Sequence, residues 1–157
     1  MAAIPTLYEW AGGMPVFERL TDIFYKKVLQ DALLEPVFKH MSPQHQLHVA
    51  HFIAEVFGGP KNYSANEGSH FQMIQKHFSK HLTEPMRQRW VQMLLTSADE
   101  INLPDDPEFR SAFVAYIEWG TRIAVINSNA AVADIQLNPA EPMPAWGWGV
   151  PGKPYQP

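Results

Sequence analysis

Apolar positions recur every three to four residues along most of this chain, and each run is closed by glycine, proline or a capping side chain. Residues 7–10 make a short apolar turn stopped by Gly12 and Gly13. Val16, Phe17, Leu20, Phe24, Val28 and Leu29 then share one face, which predicts a helix over 14–31 with Tyr25 beside that face. Residues 33–40 read as a short apolar connection containing Pro36. Ser42 before Pro43 is a helix start, a capping hydroxyl followed by a residue with no N–H to satisfy. The helix predicted over 43–57 carries Leu47, Ala50, Ile53, Ala54 and Phe57 as a stripe, and Gly58, Gly59 and Pro60 end it.

Asn, Ser and Gly over 61–69 give loop composition, and a shorter helix over 70–81 follows, with Phe71, Ile74 and Phe78 on one side and Met73 and His77 nearby. Thr83, Glu84 and Pro85 repeat the cap-then-proline signal for a helix over 84–101. Pro104, Asp106 and Pro107 do so again for the last long helix, 107–128, with Phe109, Phe113, Tyr116, Ile117, Gly120, Ile123 and Ala124 inward. No segment alternates with period two between hairpin turns, so the expected class is all-α. From 137 onward the pattern is lost: six prolines, three glycines and Trp146 and Trp148 exclude a helix there. The expected division is a folded domain over 1–130 and a Pro/Trp-rich extension over 131–157. Its aromatic residues either dock on the body or a partner, or belong to a mobile tail.

Composition narrows the chemistry. Twelve basic against sixteen acidic residues give a net charge of -4, and no basic stripe is present, which argues against nucleic acid as a partner. The apolar runs are short and broken by charge, so no membrane span is expected, and the first residues lack the pattern of a secretory leader. The default expectation is cytoplasmic. There is no cysteine, which removes disulfides, thiol nucleophiles, iron–sulfur clusters, thiolate-ligated haem and the C-x-x-C-H covalent haem attachment. Any metal must be held by histidine, carboxylate or carbonyl groups.

Seven histidines thus become the features to explain. His45, His48 and His51 stand at successive i+3 steps, but helical spacing alone produces such stripes, and the Gln, Ala and Glu around them point to a partly wet helix surface. His77 and His81 are one turn apart, as in zinc-binding pairs, yet Phe78 stands where a metalloprotease motif has its glutamate. Glu67 and His70 resemble half of a di-iron site without a second half. No nucleophile elbow, phosphate loop or dinucleotide fingerprint is present. Read from the residues alone, His77 is a histidine near an apolar face, which core filling explains.

Taken together in order, LYEWAGG, FYKKVLQD, EVFGGPKNYS, the spacing from His77 to Arg89 and Trp90, and EFRSAFVAYIEWGTR resemble the truncated haemoglobins, specifically their second group, over residues 4–128. The Pro/Trp-rich tail lies outside the resemblance. It implies a 2-on-2 globin fold, two helix pairs around a haem, with the helices over 14–31, 43–57, 84–101 and 107–128 as the four. It implies that His77 is the proximal ligand to the iron of a non-covalent haem b, that Tyr25 and Trp90 are distal donors to a bound ligand, and that Phe38 packs against the haem plane. The EVFGGPKNYS block aligns His45 with the distal helix position facing the ligand, where this group often has a small residue. A histidine there could donate to the ligand, swing outward as a gate or bind iron. Val49, Phe52 and Met73 are implied haem contacts, and His48 and Tyr63 candidate propionate partners.

The function so implied is reversible binding of dioxygen, carbon monoxide and nitric oxide, by a monomer or homodimer. A second reading is a haem enzyme, a nitric-oxide dioxygenase or peroxidase-like protein served by a redox partner. A third is a helical interaction module without haem.

Overall fold

The computed structural model describes residues 3–131, 138–150 and 152–157. Residues 132–137, where the expected extension begins, lie outside the described residues. Eight helices are present among the described residues, and no strand. They are α1 (Leu7–Ala11), α2 (Met14–Val28), α3 (Glu35–Phe38), α4 (His45–Val56), α5 (Asn62–Asn66), α6 (His70–Gln75), α7 (Glu84–Glu100) and α8 (Pro107–Asn129).

The helix starts follow local chemistry. The hydroxyls of Thr6, Ser69 and Thr83 and the carboxylate of Asp106 accept from the backbone N–H of Glu9, Gln72, Met86 and Phe109. Pro85 and Pro107 sit in the first turns of α7 and α8, where a missing N–H costs nothing. Gly12, at φ 117°, ends α1 in the left-handed region that only glycine enters freely. Gly59 answers a different need. A Cβ there would stand 2.7 Å from the Ala54 carbonyl oxygen and 2.6 Å from the Tyr8 ring, so the close approach of α1 to the end of α4 excludes a side chain.

Packing forms two helix pairs: α2 lies chiefly on α4, α7 lies on α8, and α2 also contacts α7. Phe17, Leu20, Phe24 and Val28 of α2 meet Ala50, Ile53, Ala54 and Val56 of α4 in one core, which Leu94, Ala98, Phe109, Phe113 and Ile117 continue into α7 and α8. Buried Arg87 fastens the second pair. Its guanidinium donates to both Glu84 oxygens on its own helix and to Glu118 Oε1 on α8 at 3.0 Å, which holds the exposed Glu84 carboxyl down to about 2.

Several boundaries differ from the periodicity. The helix expected over 70–81 stops at Gln75; Ser79 (φ 60°) and His81 (φ 51°) turn the chain, and His81 N–H and Leu82 N–H donate to the Ser128 carbonyl and hydroxyl oxygens. That anchoring to α8 outweighs the local helical pattern, and it separates His77 from His81, so the two do not form a helical metal pair. Ser42 caps a turn, accepting from Gln44 N–H, and α4 begins only at His45. The connection holding Pro36 forms the single turn α3, and the expected loop over 61–69 contains the turn α5.

The C-terminal segment is seated on the body. Trp146 N–H donates to the Val56 carbonyl at 2.9 Å, and Trp148 Nε1–H donates to the Pro5 carbonyl at 2.8 Å. Trp148 is 7% exposed, edge-on to Trp10 and Phe109, while Trp146 packs against Tyr116 and Trp119. Of the two expectations for the tail, docking is the one the residues form. Trp148→Ala should lower the free energy of unfolding by about 3 kcal/mol, the range for removing a buried aromatic side chain. Urea unfolding reads this directly; an unchanged midpoint would mean that the segment leaves the body in solution.

Candidate functional site

Tyr25 projects from α2 toward Phe38 of α3 and His45 of α4. Its neighbour Phe24 belongs to the buried stripe and packs edge-on against two rings, Tyr25 at 4.8 Å and Trp90 of α7 at 4.9 Å between centroids. Phe24 is therefore the spacer between the phenol and the indole at the α2/α7 contact. Phe38 of α3 closes the other side of Tyr25 at 5.8 Å. Tyr25 is 2% exposed, and burial pushes its hydroxyl well above the ordinary phenol range, so it is a protonated donor at neutral pH.

His45, in the first turn of α4, meets this group. Its Nε2 lies 3.0 Å from the Tyr25 hydroxyl and its ring stands edge-on to Tyr25 and Phe38. Burial, aided by the Lys76 charge, pulls His45 down to about 4, so its ring is neutral at pH 7. The wet-surface expectation for the His45, His48 and His51 stripe is therefore corrected at two positions. His45 pairs with Tyr25, and His51 donates from Nδ1 to Glu67 Oε1 at 2.5 Å, with Glu18 Oε1 3.4 Å from its Nε2. Both are part-buried because α4 lies on α2 along this face.

His77 follows the last turn of α6. Its Nδ1 is 2.9 Å from the Met73 carbonyl oxygen, and a carbonyl only accepts, so the ring carries its proton on Nδ1 and leaves the Nε2 lone pair free. Burial lowers the pKa of His77; the Met73 bond opposes this and the Lys80 and Lys76 charges add to it. A neutral imidazole oriented by a backbone carbonyl through one nitrogen, with the other open, is the form that ligates a metal. No group of three His, Asp or Glu residues suited to a bare metal ion occurs among the described residues. A single imidazole ligand with aromatic and donor side chains suits an iron whose equatorial ligands come with its own macrocycle. The residues present fit a haem.

The remaining expected contacts divide. Val49 is part-buried against the core, as is Met73, whose carbonyl also holds His77. His48 is part-buried, one turn of α4 beyond His45. Phe52 and Tyr63 turn toward one another instead, edge-on at 5.1 Å. The Tyr63 hydroxyl is buried, has no hydrogen-bond partner among the described residues and sits where a Cβ on Gly68 would be 2.7 Å away. Burial raises its pKa, as do the Glu67 and Glu55 carboxylates, a negative setting that suits a propionate poorly. Sequence reasoning did not single out Phe24 as the spacer between Tyr25 and Trp90, although it stood in the α2 stripe. Nor did it find the bond from Arg89 Nε to Asp31 Oδ1 at 2.8 Å, which ties the α7 turn holding Trp90 to the end of α2 and joins residues 58 positions apart.

Residues 6–118 match the family model for bacterial-like globins. The group 1 truncated haemoglobin GlbN of Nostoc commune is 37% identical over 101 residues, covering 59% of this chain and 86% of that protein. The group 2 truncated haemoglobin YjbI of Bacillus subtilis is 25% identical over 123 residues, covering 78% of this chain and 90% of its own. The solved haemoglobin of the thermophilic phototroph Chloroflexus aurantiacus superposes with a TM-score of 0.68 at 28% identity, over 80% of this chain and 99% of that one.

The chain is a globin, an all-helical haem protein of the truncated 2-on-2 type. Within that class it belongs to the bacterial-like globin family, whose members bind small diatomic ligands at a haem b held without a covalent link. A haem bound here would supply an iron able to bind small diatomic ligands, and His77 is the neutral imidazole available to hold it. No helix among the described residues is long and apolar enough to cross a membrane.

Proposed function

We propose that this is a group II truncated haemoglobin that holds dioxygen tightly, with His77 as the axial ligand and Tyr25 and Trp90 as donors to the bound molecule. The observation that supports this reading is the edge-on packing of Phe24 against both Tyr25 and Trp90, so that the ring bearing a hydroxyl and the ring bearing an indole N–H flank one side chain of the α2 stripe. Trp90 also supports the second group over the first, as does the longer span shared with the Bacillus subtilis protein. Phe38, Val49 and Met73 are proposed to line the haem, with His48 at its polar edge. The globin unit is taken as 1–130, and 131–157 as an extension whose Trp148 packs against Trp10 of α1 and Phe109 of α8. The protein is assigned to the cytoplasm.

Two donors in a dry pocket each stabilise a partly negative ligand by roughly 1–3 kcal/mol. Such holding suits sensing or ligand chemistry better than bulk delivery. Equilibrating the ferrous protein with dioxygen should give a stable oxygenated absorption spectrum that carbon monoxide displaces only slowly. A ferrous protein that binds carbon monoxide but forms no oxygenated complex would contradict the reading.

A second reading, peroxidase-like or nitric-oxide-dioxygenase activity served by a redox partner, is favoured by neutral His45 beside Tyr25, a proton acceptor next to a donor. Turnover of peroxide or nitric oxide well above that of free haem supports it, and turnover at the rate of free haem removes it.

A further inference from the structure

Tyr25 has one hydroxyl proton, and two groups have a use for it. Its side chain is buried, and the His45 ring nitrogen Nε2 stands 3.0 Å from its oxygen. The ring of His45 is held edge-on to Tyr25 at 86° and to Phe38 at 65°, so the contact is fixed by packing on both sides. A neutral imidazole offers one N–H and one lone pair, and a phenol one O–H. The pair can therefore be bonded in only two ways. A phenol is the stronger acid and donor, and a ring nitrogen the better acceptor, so the favoured direction runs from Tyr25 O–H to His45 Nε2, with the histidine proton on Nδ1. A tyrosine bonded that way has nothing left to donate to a ligand.

We infer that His45 is a positioning residue that competes with the bound ligand for the Tyr25 hydroxyl proton and so sets how tightly the ligand is held. This rests on the haem reading above. When a ligand takes the Tyr25 donation, the Tyr25-to-His45 bond is broken. The contact can then be kept only if His45 loses its Nδ1 proton to water and gains one on Nε2, now donating to the Tyr25 oxygen. The exchange conserves protons and leaves both side chains neutral. His45 is on this account neither an outward-swinging gate nor a ligand to iron. It weakens a donor that would otherwise hold the ligand more strongly.

The sign of the effect separates this role from the others. In His45→Leu, Tyr25 is left with the bound ligand as its partner, and dioxygen dissociation should slow about three- to tenfold, the scale of one hydrogen bond. In a Tyr25→Phe background the same substitution should change the rate less than twofold, because the proton competed for is gone. His45→Gln, which keeps an amide for Tyr25, should stay close to the native rate. The C–O stretch of the carbon monoxide complex should fall in His45→Leu and not in the double variant, a readout independent of turnover. Faster dissociation in His45→Leu, or an equal effect with and without Tyr25, would overturn the inference.

A haem-free measurement distinguishes its failure from failure of the haem reading. Nitrogen NMR of the histidine-labelled full chain before haem is added should show His45 with an Nδ1 proton and an accepting Nε2. An Nε2 proton in that state overturns the inference whatever the haem spectrum, whereas lack of a haem band overturns only the reading on which it rests.

Discussion

His77→Ala is expected to lose haem at least a hundredfold more readily than the native chain, a change of about 2.7 kcal/mol in retention. The orientation of the His77 ring is the cause. Its Nδ1 donates to the Met73 carbonyl one turn back, which fixes the tautomer, and burial keeps the ring neutral, so Nε2 is available without a proton to displace. Alanine removes the ligand without touching a helix, since α6 ends at Gln75 and His77 lies in the turn that follows. Imidazole added to the variant should restore the native spectrum by filling the vacated position. Haem dissociation, followed by transfer to a competing apoglobin, measures the effect. Unchanged retention with an unchanged five-coordinate ferrous spectrum would show that another group ligates the iron.

Tyr25→Phe is the second substitution with a large expected effect. Removing the hydroxyl leaves the aromatic packing on Phe24 and Phe38 intact, so the change reports on the proton and not on the core. A hydrogen bond to a charged or strongly polarised partner contributes about 1.5–3 kcal/mol, and dioxygen should leave roughly ten- to a hundredfold faster. Trp90→Phe should accelerate release as well, and the double variant more than either alone. Stopped-flow displacement by carbon monoxide gives all three rates. If neither single variant changes the rate, Tyr25 and Trp90 are packing residues and the ligand is held in another way.

Much of this architecture is legible in the chain because it is written locally. The cap-then-proline signals at Thr83 and Asp106 place α7 and α8 to within a residue or two, and the α2 stripe names its buried face in advance. What was not legible depends on contacts far apart in sequence. The helix through His77 ends early because Ser128, on α8, captures the backbone of His81 and Leu82. Spacing alone puts His45 and His51 on a partly wet helix surface because their partners, Tyr25 and Glu67, lie on other elements. The tail aromatics suggest docking as one of two readings, but the partner of Trp148 could not be named, since it is a carbonyl at Pro5, at the opposite end of the chain.

The candidate site divides in the same way. Periodicity put Tyr25 beside the α2 face and His77 near the α6 face, but helical patterns alone gave neither a role. Their assignment came from ordered blocks shared with a family. The tautomer of His77 and the competition for the Tyr25 proton came only from distances. The Phe52–Tyr63 pair shows the limit of carrying positions over: Tyr63 is in the expected block, yet its hydroxyl faces Gly68 among carboxylates.

The central claim is that this chain holds one haem through His77. Titrating the purified full chain with haem and recording its absorption tests it most directly. The account predicts an intense band that saturates at one haem per chain, a five-coordinate ferrous form and a shift on adding carbon monoxide. A spectrum that stays that of free haem throughout the titration would contradict it.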